Sequence, residues 1–170
     1  LFADANITGC ENTGIVNAGQ KRAAAGIIAE GRGKITVLSC KNSGAIKAFA
    51  GDENYNLNCN AAGIFAKNKA LFDGDSRVEM SGITFDDNIL TINNCINTGD
   101  VKSSFNMGGI LAQSDAGIIE VTNCESKNCK IYDTGVADKG GIIGVTYSKN
   151  VKVSNCRVDN IDLKRTSDLR

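Results

Sequence analysis

The side chains best equipped for chemistry in this sequence are seven cysteines and three small groups of carboxylates. Five of the cysteines, Cys10, Cys40, Cys95, Cys124 and Cys156, follow one another at spacings of 30, 55, 29 and 32 residues. That is a positional rule and not a metal-ligand spacing, and there is no Cys-x-x-Cys pair to begin a zinc site. An odd total also leaves one thiol over in any full set of disulfides. The expectation is a column of free, buried thiols acting as small apolar side chains, because in-register neighbours of a parallel ladder do not naturally present disulfide geometry. Free thiols would suit a reducing or anaerobic habitat. Cys59 and Cys129 fall outside the rule and are expected to be the more reactive thiols.

The carboxylates sit at Asp52 with Glu53, at Asp73 and Asp75, and at Asp86 with Asp87. Such oxygens could hold Ca²⁺ or act as an acid/base pair on a polysaccharide. The Asp73-Gly-Asp-Ser stretch lacks the further ligands and terminal Glu of an EF-hand loop, so no catalytic residue, metal or cofactor is assigned. Histidine is absent, which removes His bases and His ligands. The glycine-rich blocks lack the Lys-Ser/Thr of a phosphate loop. Thr13, Ser43 and Thr98 make a partial hydroxyl column that Lys127 and Asp159 interrupt. If a ligand binds, the candidate contacts are Tyr55, Phe72, Asp73, Asp75 and Arg77, which supply aromatic and charged groups that the regular repeat lacks.

The elements that must position these groups are read from the residues around each column cysteine. Three residues earlier stand Ile7, Val37, Ile92, Val121 and Val153, and five earlier Ala5, Ile35, Leu90, Ile119 and Val151. Polar residues lie mostly between them, the period-2 signature of a strand with one buried face. Gly9, Ser39, Asn94, Asn123 and Asn155, immediately before the cysteines, are residue types that tolerate a corner. After the corner, Asn12, Asn42 and Asn97 precede Gly14, Gly44 and Gly99, and then Val16, Ile46 and Val101 open a second strand. In the last two copies Ile131 and Leu163 come seven residues after the cysteine instead of six, which predicts a one-residue bulge. A third strand follows from the Ala/Gly-Gly-Ile blocks centred on Ile27, Ile64, Ile110 and Ile142.

Three short strands every 30 residues or so, stacked like on like, predict an all-β chain: a right-handed parallel β-helix, or solenoid, of about five three-strand coils. Residues 1–170 read as one domain, a fragment of a longer chain that opens within five residues of its first repeat. The long interval between Cys40 and Cys95 is either a coil carrying insertions at 51–60 and 67–88 or a degenerate extra coil. Residues 77–85 alternate on both sides of Ser81-Gly82, as in a hairpin, and 162–170 form a charged tail.

Nineteen basic and nineteen acidic residues leave no net charge. The electrostatic footprint of a nucleic-acid binder or polybasic membrane surface is missing, and no apolar run approaches the roughly 18 residues that span a bilayer.

The alternation of G-G-[IL]-x-[GA] with [IV]-x-N-C-x-N-x-G-x-[IV], clearest at residues 91–112, resembles the GLUG repeat of secreted and surface-exposed bacterial proteins, including repeat regions of IgA-type metallopeptidases. That resemblance implies an extracellular or cell-surface stalk or adhesive module. It carries no catalytic residue across. The partners it implies are a host glycan or surface protein and the flanking domains of the same chain. The runner-up is an enzyme, a polysaccharide lyase or hydrolase, or else the non-catalytic repeat region of a large secreted peptidase.

Overall fold

The computed structural model describes residues 4–19, 22–48, 59–68, 88–133 and 138–165. They form strands joined by turns and bends, with no helix among them. The first copy of the repeat holds β1 (Ala5–Thr8), β2 (Glu11–Asn12), β3 (Val16–Ala18), β4 (Ala24–Ala25) and β5 (Ile28–Gly31). The second holds β6 (Lys34–Leu38), β7 (Lys41–Asn42), β8 (Ile46–Ala48), β9 (Ala61–Ala62) and β10 (Phe65–Asn68), and the third β11 (Ile89–Asn93), β12 (Ile96–Asn97), β13 (Val101–Ser103), β14 (Met107–Gly108) and β15 (Leu111–Ser114). The fourth runs through β16 (Ile118–Thr122), β17 (Glu125–Asp133), β18 (Lys139–Gly140) and β19 (Ile143–Thr146), and the fifth through β20 (Asn150–Ser154) and β21 (Arg157–Arg165).

Every described strand pairs in parallel with its counterpart in a neighbouring copy, so the sheets run β1-β6-β11-β16-β20, β4-β9-β14-β18 and β5-β10-β15-β19, with β2, β3 and their counterparts sharing a sheet through β17. Strand β11 pairs directly with β6, placing Ile92 on Val37. The 55-residue interval between Cys40 and Cys95 therefore advances the stack by a single step. Cys59, Asn60, Lys67, Asn68 and Asn88 belong to the stack: Lys67 and Asn68 pair with Gln113 and Ser114, and Asn88 donates to Asn68 at 2.8 Å. Residues 49–58 and 69–87, which hold most of the two intervals expected as insertions and the expected 77–85 hairpin, lie outside the described residues.

The expected three strands per copy become five in each of the first three copies because the Asn-x-Gly turn separates β2 from β3 and a bend at the Gly-Ile block separates β4 from β5. Asn12, Asn42 and Asn97 fold their amides back onto the carbonyls of Gly14, Gly44 and Gly99 at 2.9, 2.9 and 3.0 Å. The same amides run along the stack, Asn12 donating to Asn42 Oδ1 at 2.7 Å and Asn42 to Asn97 Oδ1 at 2.8 Å. This ladder explains the glycines. A Cβ on Gly44 would stand 1.9 Å from the Gly14 carbonyl oxygen, and one on Gly99 would stand 2.1 Å from that of Gly44. The second glycine of the other block meets the same ladder from across the core, since a Cβ on Gly63 would lie 2.3 Å from the Asn97 amide.

In the fourth and fifth copies Ser126 and Val158 replace the asparagine, and each copy adds one residue. Asn128 and Asn160 take φ of 51° and 48°, and the register passes from Lys127↔Asp159 to Cys129↔Ile161. The two bulges stack, Asn160 donating to Asn128 at 2.9 Å. Pairing then continues unbroken, so β17 and β21 are single nine-residue strands. The corner residues all have left-handed backbone: Gly9, Ser39, Asn94, Asn123 and Asn155 have φ between 53° and 67°.

Candidate functional site

The patterned positions form the interior. Ile7, Val37, Ile92, Val121 and Val153 are register partners in turn, and Val37, Ile92 and Val121 are fully buried. Ile64 and Ile110 are buried too, with Ile27 and Ile142 partly covered at either end of their column. Cys40, Cys95 and Cys124 lie in the same core cluster.

All seven thiols are free. Each column thiol points at the carbonyl two residues back, where the corner interrupts the ladder: Cys40 at Leu38, Cys95 at Asn93, Cys124 at Thr122 and Cys156 at Ser154, at 3.2 to 3.4 Å, and Cys10 at Thr8, at 3.8 Å. A thiol is a weak donor of the right size for that place. Burial pushes the Cys40, Cys129 and Cys156 thiols above their ordinary range. Cys95 is pushed up by its neighbour Cys124 and by burial, while Cys124 is drawn down by Cys95. Burial with the raised values makes Cys40, Cys95 and Cys129 inert structural thiols.

Cys59 and Cys129, expected to react most readily, are instead buried. They belong to a second core cluster with Ile46, Val101, Met107 and Ile131. Cys129 fills the space that the polar turn occupies in earlier copies, within 3.5 Å of the Asn97 amide. The exposed thiol is Cys10, and Cys156 is partly exposed, because they stand at the ends of the column with a neighbouring copy on one side alone.

Tyr55, Phe72, Asp73, Asp75 and Arg77 lie outside the described residues, as do Asp52, Glu53, Asp86 and Asp87. Among the described residues no three His, Cys, Asp or Glu side chains come together as a metal site.

A concave region with an aromatic among charged side chains lies on the described surface. It lies on the outer face of β13, β17 and β21, where Asp100, Lys130, Tyr132, Asp162 and Lys164 line a cavity of about 260 Å³. Alternation along these strands sends Val101, Ile131 and Leu163 to one side and their neighbours to the other. Stacking in register then builds two outward columns. One reads Asp100, Lys130, Asp162, with Asp100 Oδ1 accepting the Lys130 backbone N–H at 2.7 Å and Lys130 partnered with Asp162. The other reads Lys47, Lys102, Tyr132, Lys164. The Lys102 ammonium sits 5.1 Å from the centre of the Tyr132 ring, a cation–π contact, and Lys164 holds Asp162 at 2.8 Å. Burial and then the Asp100 charge raise the Tyr132 pKa, so its phenol is a neutral hydrogen-bond donor at ordinary pH.

None of these outward residues belongs to the repeat pattern, which is why sequence reading passed over them. The signal that could have found them is the one aromatic among the lysines of that column. Comparison of the chain with family models, curated proteins and solved structures finds no match.

Proposed function

We propose that this chain is a right-handed parallel β-helix that serves as a non-enzymatic repeat segment of a secreted or cell-surface bacterial protein, a rigid spacer carrying an adhesive or binding face. The observation that carries the reading is the use made of the patterned residues. The apolar columns, the asparagine ladder, the glycines beside it and the corner thiols, with Cys95 Sγ accepting the Cys40 backbone N–H, all act on the neighbouring copy, leaving chemistry aimed outward to unpatterned positions. The parallel pairing of every described strand supports the helix, and the right hand follows from the general rule for parallel crossovers. The GLUG-like motif supports the surface setting. Glycans and surface proteins of a host are the proposed partners, with flanking domains of the same chain at either end.

The test is a binding screen of the purified chain against glycan and host-surface protein arrays, run beside turnover assays on the same polysaccharides. The reading expects at least one saturable ligand and no product. Cleavage of any polysaccharide would replace it with the enzymatic one.

A further inference from the structure

We propose that the outer face of β8, β13, β17 and β21 binds an acidic polysaccharide, a chain of carboxylated or sulfated sugars that crosses the strands over Tyr132. This rests on the binding-module reading and gives it a site and a ligand class.

Four lysines (47, 102, 130 and 164) and two aspartates (100 and 162) stand on the two columns, an excess of two positive charges on a chain whose net charge is zero. Both carboxylates have partners within the columns, Asp100 at the Lys130 backbone N–H and Asp162 at the Lys164 ammonium. The column of alternating sign is what stacking alone favours. Its neighbour is not: Lys47 and Lys102 are direct register partners, and like charges placed opposite one another weaken a sheet. An anionic ligand along that column would meet both ammoniums.

Geometry selects the kind of anion. In-register positions repeat about every 4.8 Å along the stack, so a linear polyanion lying on the axis meets a cation or the tyrosine at each step. The cavity beside Tyr132 holds about 260 Å³, below the usual range for a drug-sized ligand and suited to one sugar ring at a time. The phenol O–H and the lysine ammoniums are donors, the complement of carboxylate, sulfate and ring oxygens. Single-stranded nucleic acid would want several stacking aromatics in a strongly basic groove, whereas this face has one aromatic and an excess of two positive charges.

The test titrates the intact chain with oligogalacturonate, a sulfated glycosaminoglycan, neutral dextran and single-stranded DNA by isothermal calorimetry. Tyr132→Ala, Lys102→Glu with Lys130→Glu, and the control Lys152→Glu on another sheet are compared, each checked for native circular dichroism. The expected result is saturable binding of one or both acidic glycans, at least tenfold weaker in the Tyr132 and paired-lysine variants, unchanged in Lys152→Glu, and weakened by salt. If a charge-reversed variant fails to fold, Lys102→Ala with Lys130→Ala replaces it. DNA binding as tight as the glycans would overturn the assignment, as would acidic-glycan binding indifferent to all the variants. Binding to dextran or to a surface protein alone would overturn this site but keep the binding module, and binding to nothing in either screen would remove both.

Discussion

At the residue scale, the positions that repeat are those that touch their own counterparts. The corner residues were legible because Gly, Ser and Asn are the types that accept φ near 55°, and all five adopt it. The fate of Cys59 and Cys129 was not legible, since a position outside the repeat gives no sign of which neighbour covers it. Thiol alkylation followed by peptide mass spectrometry should therefore modify Cys10 first and Cys156 next. Cys40, Cys59, Cys95, Cys124 and Cys129 should react only on unfolding, and fast native labelling of Cys129 would contradict the second core cluster. The raised pKa values of Cys40, Cys129 and Cys156 mean that the folded state holds these protons more tightly than the unfolded chain. Their contribution is complete below the ordinary thiol range and is lost as pH rises from that range through the higher folded values, so the urea midpoint should fall as pH climbs above about 8. A midpoint that rose above that pH would be the wrong sign. In the ladder, Asn97→Ala removes the acceptor for the buried Asn42 amide and should cost about 1–3 kcal/mol in urea unfolding. An unchanged midpoint would mean that the ladder contributes nothing.

At the element scale, strand positions followed from period-2 alternation, and the extra residue between Cys124 and Ile131 foretold the stacked bulges at Asn128 and Asn160. The number of strands did not follow, because pairing stops at the bend of each Gly-Ile block, and also wherever the asparagine turns its amide onto the glycine carbonyl, resuming where that asparagine is replaced. The outer face was equally hidden: Asp100, Lys130 and Asp162 share a column but alternate in charge and follow no repeat rule, so only the register brings them together. Ile92 is the middle member of the central column, flanked by Val37 and Val121. Ile92→Asp would place a charge in that apolar column and should cost several kcal/mol, seen as loss of the cooperative transition. Native stability in that variant would mean that the column is not the core.

At the scale of the whole molecule, the stack is close to one-dimensional: each copy contacts its neighbours, and stability accumulates step by step. The ends show this directly. Val151, Val153 and Leu163 in the fifth copy are 43%, 49% and 50% exposed, while their counterparts Ile119, Val121 and Ile131 are 0% exposed. The same end effect leaves Cys10 and Cys156 as the accessible thiols, which makes them natural probes of the central claim that one copy of the repeat advances the stack by one step. These two cysteines lie 146 residues apart in sequence but four steps apart along the stack, or about 19 Å. Spin labels attached to them in the native chain, measured by double electron–electron resonance, should give a single narrow distribution near that value after allowance for the label arms. A broad distribution, or one centred beyond about 35 Å, would contradict the in-register stack of five copies at the usual parallel-strand spacing.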